Sequence, residues 1–162
     1  MAGRVHHYAL SLQWLGKRPV SAGALDYKTY SRELQLSIPD KKPIVASADP
    51  NFAGDPKLHN PEDLLLCSVA SCHFLSYLSI CARNGVSVVD YQDQATAEMA
   101  YDAAIKTFRF TKVVLHPTVS IAPASDPALA SKLHHDAHAA CFIAQSVNFP
   151  IECEPRVIIA SD

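Results

Sequence analysis

The sequence lacks an excess of charge of either sign, a repeat, a low-complexity tract and a paired-cysteine motif, and each absence removes a class of function. A formal charge of −2 over 162 residues leaves no basic footprint for nucleic acid. With 49% apolar residues the chain can bury a real core and is not a disordered segment; its length suits one domain, residues 1–162. The N-terminal MAGRVHHYALSLQW has no continuous apolar stretch followed by a small-residue cleavage site. No export signal is therefore read, and the cytoplasm is the expected compartment. C-x-x-C and zinc-ribbon spacings are missing, and five cysteines without regular spacing are no disulfide framework.

Long apolar runs are also scarce, with one exception. The stretch from Asn60 to Gly85, NPEDLLLCSVASCHFLSYLSICARNG, carries both ends of a helix. Asn60 suits the N-cap, Pro61 the first helical position, Glu62 and Asp63 the positive end of the macrodipole, and Gly85 the position just past the end. Leu64, Leu65, Leu66, Val69, Phe74, Leu75, Leu78 and Ile80 cannot share one stripe, so other structure must cover most of this helix. A membrane span is the rival reading. Four serines and His73 within the run, and charged groups at its ends, favour a helix enclosed by protein instead.

The remaining pattern predicts N-terminal strands within residues 5–47, the central helix over 60–84, strands within 86–121, a second helix over 126–147 with Ser125 as a plausible cap, and a terminal strand over 150–160. His6–Leu15 and Tyr27–Ile38 alternate and are expected to pair as an antiparallel hairpin, placing Arg32 in line with Tyr30, Leu34 and Leu36. Val86–Tyr101 is expected to pair with Lys106–Val119. This order argues for an α+β fold with sheets packed on helices.

Three cysteines lie on the central helix. Cys67 and Cys72 are five residues apart and point about 140° away from each other, so they are not a redox pair. Cys72 is too far from the helix N-terminus to be activated by the dipole, so a cation must reach it from another element. Arg32 is the choice over Lys17 and Arg18, and Glu62 is a reasonable anion to hold it. On the second helix His134, His138 and Cys141 would share one face. They could ligate Zn²⁺ with a fourth ligand from elsewhere, or Cys141 could attack an oxidised Cys72 as a resolving thiol. Cys67, Cys81 and Cys153 are read as small core residues.

The run NPEDLLLCSVASCHFLSYL, with Cys72 ten residues after Glu62, resembles the signature of the OsmC/Ohr family of osmotically induced and organic-hydroperoxide-resistance proteins. AHAACFIAQSV, followed by a terminal strand, resembles that family's second-cysteine helix and sets Cys141 at the matching position. The resemblance, to the OsmC-like peroxiredoxin branch, implies antiparallel sheets wrapped around a long central helix in an intertwined homodimer. It also implies an antioxidant, stress-response enzyme: a cysteine-based peroxidase that reduces organic hydroperoxides or hydrogen peroxide. Cys72 would be the reactive thiol and Cys141 the resolving thiol, with Arg32, held by Glu62, polarising the peroxide. A thiol or dithiol, of which a lipoyl-type dithiol is one candidate, would be the reductant. No cofactor, metal, nucleic acid or membrane is expected in that role. The alternative is a non-enzymatic metal- or ligand-binding module using His134, His138 and Cys141. Phe142 and His73 depart from the family's usual residues and point to a separate branch.

Overall fold

The computed structural model describes residues 3–161, and its chain divides into two units, Met1–Leu64 and Leu65–Asp162. In the first unit β1 (Ser11–Trp14), β2 (Leu34–Ser37) and β3 (Ile44–Ala46) form an antiparallel sheet in that order, with Ser11 opposite Ser37 and Leu34 opposite Ala46. The expected hairpin therefore forms but is much shorter than the alternation suggested. Residues 26–30 are diverted into a turn because the Asp26 carboxylate accepts the Lys28 N–H at 3.0 Å while its carbonyl accepts those of Thr29 and Tyr30. Local Asx-turn bonding thus outcompetes the extended pattern. Arg32 consequently lies outside the strand. On the other side, pairing stops at Ser37, two residues before Pro39, which has no N–H to offer a ladder.

The first unit continues through a 3-10 turn at Pro50–Phe52, capped by the Asp49 side chain, to the start of α1 (Pro61–Arg83). The cap is reciprocal. The Asp63 N–H donates to Asn60 Oδ1 at 2.7 Å, and the Asn60 N–H donates to Asp63 Oδ2 at 3.2 Å. At the other end Gly85 takes φ 73°, and the Val86 N–H returns to the Cys81 carbonyl at 3.0 Å, a Schellman closure.

The second unit holds β4 (Val88–Asp93), β5 (Thr96–Asp102), β6 (Thr107–Leu115), β7 (Pro117–Ile121), α2 (Pro127–Ala140), β8 (Ile151–Cys153) and β9 (Arg156–Ile159). Each long strand expected from the sequence is two strands belonging to two sheets, ordered β4-β7-β9 and β5-β6-β8. The switch has a local cause. Asp93 accepts the His116 N–H at 2.8 Å where both chains break, and Pro117 cannot donate. The terminal stretch breaks the same way around Pro155. β4–β7 and β5–β6 pair antiparallel as expected, whereas β8 and β9, returning after α2, pair parallel to β6 and β7. The α+β class holds, with mixed rather than purely antiparallel sheets.

The core has two clusters along α1. Val69 packs with Val113 and Leu115 of β6, while Tyr77, Ile80 and Cys81 pack with Val119 and Ile121 of β7 and with Ala130, Leu133 and Ala137 of α2. Each fully buried large apolar side chain contributes about 1.5–3 kcal/mol. The buried residues of α1 are Val69, His73, Tyr77, Ile80 and Cys81, and Cys67, Ser71, Leu75 and Ser79 form an exposed stripe on its other side. Within one chain the expected all-round cover is therefore incomplete.

Candidate functional site

Cys72 sits near the middle of α1, half-buried, with its side chain on the wall of an open cleft of about 630 Å³. Ser68, Leu75, Ser76 and Arg83 of α1 line this cleft together with Phe142 and Ile143. Facing it is Cys141, which is 1% exposed. The helix expected over 126–147 ends at Ala140, and Cys141 is its C-cap, with extended backbone at φ −76° and ψ 108°. Its N-cap is Asp126, whose carboxylate accepts the Ala128 N–H; Ser125 instead accepts the Ser87 N–H.

The early end of α2 frees Cys141 from the helical azimuth and lets it reach α1. Its thiol hydrogen-bonds to Cys72, and its sulfur accepts the Ala144 N–H at 3.4 Å. Burial first, and then the bond to Cys72, push the Cys141 thiol up to about 11. It is therefore a protonated S–H at neutral pH, placed to donate to the Cys72 sulfur. Among the two thiols Cys72 has the access to the cleft and Cys141 does not.

Arg32 and Glu62 are placed individually. Arg32 donates to the carbonyls of Tyr30, at 2.9 Å, and Tyr27, and its guanidinium lies over both their rings, 4.2 Å and 4.9 Å from the centroids. These cation–π contacts hold the group flat and already oriented. Glu62 occupies the first turn of α1, and its Oε2 is buried with no hydrogen-bond partner. An ion pair between them is absent among the described residues.

The expected triad of His134, His138 and Cys141 does not converge, because Cys141 lies beyond the helix. The group that converges among the described residues is His73, His134 and Cys153, with one ligand atom of each within 4.8 Å of the others. His73 Nε2 is 3.1 Å from His134 Nδ1, and the Cys153 sulfur is 3.7 Å and 3.9 Å from those nitrogens. Burial lowers His73 to about 4, helped by His138, and lowers His134 to about 3, helped by His73. Both imidazoles are neutral at physiological pH. Tyr77 stacks on His134 at 3.8 Å between centroids and donates its hydroxyl to the Ala130 carbonyl.

Cys153 packs against the core cluster as read, and its sulfur also lies beside the two histidines; Cys81 is in the core as read, whereas Cys67 is exposed. The sequence does hold a signal for the missed pair. His73 stands four residues after Val69 and four before Tyr77, on the inward stripe of α1. The partner strand residue Cys153 is invisible without the sheet.

A family model described as OsmC-like protein matches residues 54–156. The uncharacterized protein YmaD of Bacillus subtilis (strain 168) is 26% identical over 152 residues, covering 92% of this chain and 91% of that protein. An OsmC-like protein of unknown function from Vibrio cholerae is 30% identical, with a TM-score of 0.82 covering 93% of this chain and 99% of that one. An organic hydroperoxide resistance protein from Elizabethkingia anophelis is 13% identical, with a TM-score of 0.69 covering 97% and 99%; that is a likeness of fold. The match over residues 54–156 spans both helices, Cys72 and Cys141, and the strands from β4 to β8, and by it the chain belongs to the OsmC-like family.

Proposed function

We propose that this protein is a thiol peroxidase acting on organic hydroperoxides. Family membership and the contact between Cys72 and Cys141 support thiol-based redox chemistry. The observation that carries the finer reading is the asymmetry of the pair: one thiol at a cleft, and one buried, protonated and bonded to it. In this reading the Cys72 thiolate attacks the distal peroxide oxygen. The O–O bond breaks, the alkoxide takes a proton and leaves as the alcohol, and Cys72 becomes a sulfenic acid. The Cys141 sulfur then attacks Cys72. An S–S bond forms, and the sulfenic hydroxyl leaves as water with the Cys141 proton. A small dithiol, lipoyl in type, returns both thiols to the reduced state by exchange.

Arg32 is assigned as the activating cation and Glu62 as its anchor. A buried carboxylate oxygen without a partner is costly, and a guanidinium is the group that satisfies it. We assign this pairing to a homodimer in the cytoplasm, with the exposed stripe of α1 covered by the second copy. Turnover of cumene hydroperoxide with a dithiol reductant tests the scheme. Cys72→Ser is expected to abolish turnover, and Cys141→Ser to leave a single peroxide reduction that stops at the sulfenic acid. Arg32→Ala should cut kcat/KM at least about tenfold, with Arg32→Lys restoring part of it. Wild-type turnover by Cys72→Ser would dismiss the mechanism.

A further inference from the structure

The cluster of His73, His134 and Cys153 lies outside the thiol pair and has no part in the peroxidase scheme. It joins three elements of the second unit: His73 from α1, His134 from α2 and Cys153 from β8. The two imidazole planes are within 10° of parallel. Their centroids are 5.4 Å apart, the separation of rings meeting tip to tip rather than face to face. One proton is therefore held between the two inner nitrogens, and the Cys153 sulfur sits beside it.

The outer nitrogens, His73 Nδ1 and His134 Nε2, are buried without a hydrogen-bond partner. Two histidines, 1% and 2% exposed, are thus held in a core with half of their polar atoms unsatisfied. An apolar replacement would pack there without that cost, so the arrangement is expensive as pure scaffolding. A neutral imidazole pair beside a thiol is, however, a donor set for a borderline-soft metal ion.

We propose that His73, His134 and Cys153 form a mononuclear Zn²⁺ site. With bonds of about 2.0–2.1 Å to nitrogen and 2.3 Å to sulfur, tetrahedral zinc holds its ligand atoms about 3.4–3.6 Å apart. The separations here, 3.1, 3.7 and 3.9 Å, lie within a few tenths of an ångström of that triangle. Zinc takes the place of the shared proton. The inner nitrogens become the ligands, the displaced proton moves to the bare outer nitrogen of its own ring so that both imidazoles stay neutral, and the Cys153 thiol loses its proton to water. One proton is released per ion, and the bound unit has a net charge of +1. A cavity of about 280 Å³ lined by His134, His138 and Cys153 adjoins the cluster and has room for a water as fourth ligand. The ion would staple α1, α2 and β8 together, and the Cys72 and Cys141 sulfurs take no part.

The test uses the full-length chain with Cys72→Ser and Cys141→Ser, so that the redox thiols cannot bind metal. After removal of metal with a chelator, Zn²⁺ is titrated by calorimetry in buffers of different ionisation enthalpy. Co²⁺ serves as the spectroscopic stand-in. One equivalent of Zn²⁺, release of one proton and a thiolate-to-cobalt charge-transfer band are expected. Adding Cys153→Ser should remove the band and weaken Zn²⁺ at least about a hundredfold, since even outer-shell changes cost 10–100-fold. Should that variant fail to fold, X-ray absorption of the zinc-loaded parent decides, and must fit two imidazoles and one sulfur. Absence of stoichiometric binding, retention of tight binding with Cys153→Ser, or a zinc shell without sulfur each overturns the proposal.

Discussion

At the scale of single residues, the difference between Cys72 and Cys141 comes from position rather than from side-chain chemistry. Burial and the bond to Cys72 hold the Cys141 thiol up at about 11, so its proton is retained across the neutral range. The sign follows directly. A thiol whose folded pKa lies above its unfolded value favours the folded state while protonated, and that contribution fades as pH rises from about 9 toward 11. Alkylation of the reduced protein with iodoacetamide at mildly alkaline pH, read by mass spectrometry, should label Cys72 well before Cys141. Labelling of Cys141 should climb about tenfold per pH unit below its pKa. In Cys72→Ser the S–H loses its sulfur acceptor, and Cys141 should become more reactive at a given pH. Equal labelling of the two thiols would contradict the asymmetry on which the catalytic roles rest.

At the scale of elements, α1 is specified at both ends by short-range bonding. The Asn60–Asp63 exchange opens it and Gly85 closes it, and both were legible because a cap depends on residues within one turn. Gly85 has the left-handed φ that a Cβ penalises, and a side chain there would face open space. Gly85→Ala should therefore act through the backbone alone, costing about 1 kcal/mol and lowering Tm by about 2–4 °C. An unchanged melting curve would mean the Schellman closure contributes nothing. The end of α2 was less legible. The helical pattern runs on past Cys141, yet the chain leaves the helix at that residue, and this exit directs the thiol to Cys72 rather than toward His134 and His138.

At the scale of the molecule, α1 is long and apolar enough to cross a membrane, yet most of it is not buried within the chain. The uncovered stripe of Cys67, Ser71, Leu75 and Ser79 mixes small polar groups with one large apolar side chain. Such a surface suits close helix packing in a homodimer better than lipid. For the proposed homodimeric peroxidase, Leu75→Arg should shift the protein from dimer to monomer in sedimentation velocity and lower turnover with it. A dimer unaffected by that charge would remove this face from the interface.

The sequence by itself determined the two helices, the α+β order and the caps of α1, and it singled out Cys72 and Cys141, because caps, periodicity and motif spacing act over a few residues. It could not show where an alternating stretch divides between two sheets. That depended on Asp93 meeting the His116 N–H from a distant strand, and on Asp26 drawing its own neighbours into a turn. Only the tertiary structure brought His73, His134 and Cys153 together. Their spacing in sequence carries no metal pattern; the contact arises because a helix stripe, a second helix and a parallel strand from the end of the chain enclose one small volume.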